Sequence, residues 1–391
     1  MNTLRLTIDQ ARRIIVDSQM LHARGSDVSE VISQLAGIQY DPNPTIHLNQ
    51  YMVLWNRIPG FTVEDLDREA YRNHSVIETC SFRRNKFFVP TDEFAIYRKA
   101  TEGIVRWGAS DKIKEENAHN NVQACEAEDR LRSVLSRAQP VTLNELWASL
   151  GVLDSWKARR QNGELTDPMF PAFNRMLRRG EIIVAGRRKG TFREPEYTLK
   201  AVVLPGSWPN SDIPEFEARC WVVSRVLRSY GVTNASHIRQ IIGFKATEIK
   251  DYIETLESNG EARKVAVDSM RGDYWTAPEC LSNMVAEPDW TKLSLLPPLD
   301  NLVRDRNWLL RHFGYTFQFE YFQKKQMKWQ LSALLGVDFL GYIDCKIDRT
   351  RNRLIVKARK ILTKDTVIHH LIDDKIEQLA RFHGTEDVIA D

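Results

Sequence analysis

The chain has 391 residues, 55 of them Lys or Arg against 52 Asp or Glu, giving a formal net charge of +3 and a pI near 8.5. That length suits about two to four domains, each able to bury its own core, and with charge so nearly balanced the distribution of basic residues matters more than their total. Five scattered cysteines with no C-x-x-C pair argue against a disulfide framework and a zinc cluster, and no apolar run approaches the ~18 residues of a membrane helix.

In chain order, the start Met1-Asn2-Thr3-Leu4-Arg5-Leu6 lacks the apolar core of a signal peptide. A cytoplasmic location is expected, nucleoid-associated in a bacterium, with no membrane partner. Thr7-Ile8-Asp9-Gln10 has the form of a capping box and predicts a helix through Gln19, with a second helix from Val28 to Leu35. Gly37-Ile38-Gln39-Tyr40-Asp41-Pro42 follows. In an extended segment residues i and i+2 project the same way, so Gln39 and Asp41 could hold a water molecule between them. Asp before Pro is equally an ordinary turn initiator, since Pro42 pushes Asp41 out of the helical region. On the residues alone both readings stand. Asn85 to Val89 predicts a strand, and residues 1–110 are expected to form a winged-helix-like unit carrying this element.

Lys112 to Glu128 reads as a polar helical connector. Thr142-Leu143-Asn144-Glu145 fits a second capping box. The helices that follow stop at Arg178-Arg179-Gly180-Glu181 and give way to Ile182-Ile183-Val184, a basic turn from Gly186 to Gly190, and Tyr197-Thr198-Leu199. About eighty residues later the pattern repeats: Ser236 and Thr247 as helix caps, a stop at Ser258-Asn259-Gly260-Glu261, Arg263 to Val267, a turn at Arg271-Gly272, and Tyr274-Trp275-Thr276. Helices followed by a β-hairpin predict winged helices at 111–205 and 215–285, with a linker from Pro205 to Pro214. After a boundary between Glu287-Pro288 and Pro297-Pro298 the residues alternate at Tyr315 to Tyr321, Trp329 to Leu335, Phe339 to Ile347 and Arg353 to Val356. They predict a small antiparallel β-sheet or barrel domain at 290–391, closed by a helix from Thr366 to Phe382. The expected class is α+β.

Basic residues cluster at several points. Arg187, Arg188 and Lys189 sit in a wing turn between glycines, and Arg83, Arg84 and Lys86 cluster at the start of the Asn85 to Val89 strand; Arg57, Lys324 and Lys325 complete the candidate phosphate-binding set, each also readable as a solvated surface charge. Trp55 and Trp107 could stack on bases or fill the core. The chain lacks a Walker A loop, a G-x-S-x-G elbow, H-E-x-x-H and a complete dinucleotide fingerprint, so no cofactor or metal is expected.

Taken together, Gln39-Tyr40-Asp41, Val53-Leu54-Trp55-Asn56-Arg57, the Gly180 to Leu199 hairpin, Pro297-Pro298-Leu299-Asp300, Phe313-Gly314-Tyr315 and Phe339 to Arg349 resemble, in order and spacing, the AlkZ/YcaQ-like DNA glycosylases, in the subgroup with a Q-x-D element. A monomer is expected; separately, the resemblance implies tandem winged helices and a monofunctional N-glycosyl hydrolase acting on double-stranded DNA with alkylated, N7-substituted purines. It extends to unhooking of interstrand crosslinks. It also implies that Gln39 and Asp41 are the catalytic pair. Departures fall beside the pair: Leu48-Asn49-Gln50-Tyr51 stands where relatives commonly show Arg-Ala-His-His, and Phe82 to Phe87 replaces a His-containing element. A changed lesion range or a non-catalytic winged-helix DNA-binding regulator would both fit such changes.

Overall fold

The computed structural model describes residues 3–22, 25–41, 49–102, 122–137, 139–155, 167–188, 194–204, 213–285, 287–317, 319–320, 328–385 and 387–390. The chain is α+β and divides into two compact units, one formed by 1–66 with 220–391 and the other by 67–219. Residues expected as one N-terminal unit, 1–110, contribute to both.

In the first unit the capping box forms as expected: Gln10 N–H donates to Thr7 Oγ1 (3.1 Å) and Thr7 N–H to Gln10 Oε1 (2.9 Å), starting helix Ile8–Ser18. Helix Val28–Gln34 is capped by Asp27. The C-terminal helix–hairpin module consists of Ala235–Ile242, Ala246–Ser258 and the antiparallel strands Arg263–Val267 and Tyr274–Thr276. Two cap assignments are corrected. Asn234, not Ser236, accepts the His237 N–H (2.9 Å), and the next helix begins at Ala246 after Lys245, one residue before Thr247. A strand with no expectation attached, Leu4–Leu6, lies parallel to Arg263–Val267, pairing Leu4 with Val265 and Leu6 with Val267.

The C-terminal sheet is open, so the barrel alternative is corrected. Its path runs Leu293–Leu296, Lys328–Leu335, Asp338–Asp348, Arg353–Ile361, Asp387–Ala390, with Phe319–Glu320 pairing off it. The last pair is parallel, because helix Thr366–Phe382 makes the crossover that parallel neighbours need. Leu295, Trp329, Leu331, Ile343 and Leu354 on the sheet pack against Ile372, Ile376 and Leu379 of that helix, and Met52 of helix Asn49–Trp55 enters the same core.

The second unit carries two hairpins, Val76–Cys80 with Lys86–Pro90 and Ile182–Arg187 with Pro195–Leu199. Its core gathers Leu131, Leu146, Trp147, Phe170, Phe173, Met176, Val184 and Tyr197. Thr142 and Glu145 form the second capping box. The connector expected at Lys112 to Glu128 lies outside the described residues as far as residue 121, beyond which helix Val122–Leu135 begins. Residues 205–212 of the expected linker also lie outside them. No helix among the described residues is long and apolar enough to cross a membrane.

Candidate active site

The segment from Gly37 to Asp41 emerges from a turn that needs glycine. After helix Val28–Gln34, Ala36 (φ 54°) and Gly37 (φ 96°) are both left-handed, and their amides donate back to Ser33 O (3.0 Å) and Ile32 O (2.9 Å). At Gly37 a side chain would carry the left-handed penalty that glycine avoids. The chain then runs extended through Ile38–Gln39. Ile38 and Tyr40 are buried, and the two-residue strand ends at Gln39. Gln39 is partly exposed and Asp41 is 6% exposed.

Three neutral amides hold this main chain. Asn301 Nδ2 donates to Leu35 O (2.8 Å) and Gly37 O (3.1 Å), Asn49 Nδ2 donates to Gln39 O (3.1 Å), and Gln50 Oε1 accepts the Asp41 N–H (3.3 Å). Behind them lies a buried ion pair. Arg57 Nη1 and Nη2 donate to the two oxygens of Asp300 at 2.7 and 3.0 Å, while Nε reaches Gln19 O (2.7 Å) and Nη1 reaches Val53 O (3.0 Å). Asn56 exchanges two 2.9 Å bonds with the Leu295 main chain, fixing the end of helix Asn49–Trp55 to the C-terminal sheet. Asn301, next to Asp300, thus holds the turn at Leu35 and Gly37 that leads into Gln39. Asp300 serves as the partner of Arg57 as well as accepting the Leu302 N–H (3.0 Å).

The basic residues divide sharply. Arg57 is corrected from a DNA contact to a core residue, with both side chains of its ion pair 0% exposed. Arg187 is corrected likewise: its guanidinium lies 2.7 Å from both oxygens of buried Glu78 and 3.0 Å from the Tyr71 hydroxyl, which donates to Glu78 at 3.1 Å. Lys86 faces the same carboxylate at 3.5 Å. The physical reason is Glu78, which on a buried strand needs cationic partners. Burial alone would raise its carboxyl pKa, but Arg187 and Lys86 hold it below the usual range; burial also raises the Tyr71 hydroxyl well above its ordinary value. Arg188 is 47% exposed but already pairs with Glu145 (2.7 Å) and Glu196 (2.9 Å). Arg83 remains partly exposed in the turn Phe82–Arg84, left-handed at φ 52°, where Phe82 anchors the hairpin against Phe87 and Tyr97. The Arg84 side chain, and Lys189, Lys324, Lys325 and Trp107 entirely, lie outside the described residues. Trp55 stacks on Phe382 (5.5 Å between ring centres) with the Lys375 ammonium 3.8 Å from its own centre, the packing alternative rather than an open stacking platform.

A protein-family model described as "DNA glycosylase AlkZ-like" matches residues 32–382, nearly the whole chain and all of the braced segment. The chain belongs to the AlkZ-like DNA glycosylase family. Among solved structures this glycosylase is similar to Streptomyces sahachiroi DNA glycosylase AlkZ, with 16% identity and a TM-score of 0.71 over 99% of this chain and 100% of that one. At that identity the likeness speaks for the fold. No curated protein matches the sequence. The glycosylase's bracing residues Asn49, Gln50 and Asn301 were missed as site residues, as was Glu78 as the partner of Arg187. One signal was present: Asn49 and Gln50 open an otherwise apolar helix, and buried amides need partners.

Proposed function

We propose that this DNA glycosylase hydrolyses the N-glycosidic bond of alkylated, N7-substituted purines in double-stranded DNA, with Asp41 activating the water and Gln39 positioning it. The observation that carries the reading is the braced segment itself. Gln39 and Asp41 stand two residues apart on a segment whose main chain is held by Asn49, Gln50 and Asn301, a frame that supports a role for their two polar side chains. The chemistry suits the pair. An N7-alkylated purine is cationic, so it leaves with the bonding electron pair as a neutral base and needs little acid assistance. Water attacks C1′ of the sugar, the bond from C1′ to the purine nitrogen breaks, and Asp41 takes the proton; Gln39 fixes the water without adding charge. The product is an abasic site.

The base is reached after extrusion or through an opened groove. The same step, applied to one purine of an N7-linked interstrand crosslink, would unhook the strands. The test is base release from duplexes carrying N7-methylguanine or a nitrogen-mustard crosslink, comparing the wild type with Gln39→Ala and Asp41→Asn. Release by the wild type and its loss in Asp41→Asn, with duplex affinity retained, is the expected result. Tight binding without release from any of these substrates would sink the proposal.

A further inference from the structure

We propose that Gln50 is a positioning residue of this site, acting on Asp41 through both halves of its amide; the inference rests on the reading of Asp41 as the group that activates water. Gln50 is 1% exposed in the first turn of helix Asn49–Trp55. Its Oε1 accepts the Asp41 N–H, and that donor fixes the amide's orientation, because only the carbonyl half can face it. Nε2, on the same amide carbon, therefore also lies beside Asp41. It has neither solvent nor a hydrogen-bond partner among the described residues. Asn49 repeats the arrangement: Nδ2 is used on Gln39 O, while Oδ1 is buried without a partner among the described residues.

Two consecutive side chains thus each hold the main chain of one member of the pair and keep the other half of the amide unused. A buried amide donor is costly to leave unmade, and apolar side chains of similar size would fill the space without that cost. The unused donor of Gln50 is suited to an oxygen of Asp41, or to the water that oxygen holds, in the reacting state. A donor there turns the carboxylate so that one oxygen faces the water, and as a neutral group it leaves the charge of the site unchanged.

The experiment uses the full-length protein and a duplex with one N7-methylguanine, followed as single-turnover base release at saturating enzyme across pH. Gln50→Leu removes both halves of the amide. It is expected to lower the saturating rate on the order of 10- to 100-fold with duplex affinity unchanged, the scale set by small misplacements of catalytic groups. Gln50→Glu keeps an acceptor for the Asp41 N–H but places a second carboxyl beside the first, and is expected to move the acid limb of the pH–rate profile upward by about one unit. A side chain that merely filled space would not move that limb. If both variants melt like the wild type and keep its saturating rate and acid limb, or if the loss lies wholly in binding, the proposal is overturned. Should Gln50→Leu fail to fold, Gln50→Glu decides alone. Asp41→Asn separates the two readings: if it releases base at the wild-type rate, the water-activation reading falls and takes this proposal with it, whereas an inactive Asp41→Asn beside unaffected Gln50 variants overturns this proposal alone.

Discussion

Neutralising Asp300 tests whether Arg57 belongs to the interior. Asp300→Asn is nearly isosteric, so packing is preserved while a fully buried guanidinium loses the carboxylate that accepts at 2.7 and 3.0 Å. Two carbonyl acceptors remain, Gln19 O and Val53 O, and neither carries charge. Breaking a buried ion pair from one side costs about 3–5 kcal/mol, because the surviving charge stays desolvated. With a urea m-value of about 3 kcal/mol per molar, that is a midpoint shift of roughly 1–2 M in the transition of the unit containing 1–66 and 220–391. Replacing both partners together, Arg57→Met with Asp300→Leu, removes the stranded charge and should recover most of the loss, giving a coupling energy of about 3 kcal/mol or more in a double-mutant cycle. Urea unfolding of the wild type, Arg57→Met, Asp300→Leu and the double variant supplies every term of the cycle. The reasoning is refuted if Arg57→Met leaves the midpoint in place and instead weakens duplex binding, with the salt slope reduced by about one, the signature of a lost phosphate contact.

Glu78→Gln should destabilise the unit formed by 67–219 by about 3 kcal/mol at pH 7, since Arg187 and Lys86 lose their shared carboxylate; calorimetry of the variant against the wild type checks it. Stability from Glu78, whose pKa is lowered on folding, is present above the ordinary carboxylate pKa and lost as pH falls through the lowered folded value, so the variant's deficit should shrink in strong acid. His312 is buried and its pKa is pushed down to about 4 by that burial, from 6.5. The unfolded chain therefore binds more protons between those values, and about 3 kcal/mol of stability present above pH 6.5 should be lost by pH 4; His312→Gln should flatten the dependence of Tm on pH in that window. Arg83→Ala should weaken duplex binding and lower its salt slope by about one between roughly 50 and 200 mM salt, as read by anisotropy. Arg188→Ala should change duplex binding little, because Glu145 and Glu196 already neutralise that guanidinium; a loss of salt slope by about one would contradict the ion pairing.

Local signals carried much of the fold into the sequence. The capping boxes at Thr7 and Thr142, the glycine stops at Gly180 and Gly260, the two wing hairpins and helix Thr366–Phe382 each depend on residues a few positions apart, and each is found where expected. What escaped was set by distant partners. Leu4–Leu6 becomes a strand by pairing with Arg263–Val267, and Asp387–Ala390 by a crossover onto Arg353–Ile361, neither of which short apolar runs announce. At the candidate site the spacing of Gln39 and Asp41 was legible, but the Pro-Pro-Leu-Asp element gave no sign that Asp300 pairs with Arg57. The supports of Gln39 and Asp41 were not legible, because Asn49, Gln50 and Asn301 act on main-chain atoms that no residue pattern encodes. Charge patterning misled most at Arg57 and Arg187. A basic residue looks the same in sequence whether it faces a phosphate or a buried carboxylate, and Asp300 and Glu78 lie far along the chain from their partners.

If Asp41 activates the water that cleaves the glycosidic bond, its carboxylate is needed at the chemical step and not for binding. Single-turnover release of N7-methylguanine from a duplex, measured for Asp41→Asn at saturating enzyme with affinity measured in parallel, tests it most directly. The rate should fall by at least about 10²-fold, the lower end of what a positioned general base supplies, with binding of the duplex unchanged. Release at the wild-type rate would contradict it.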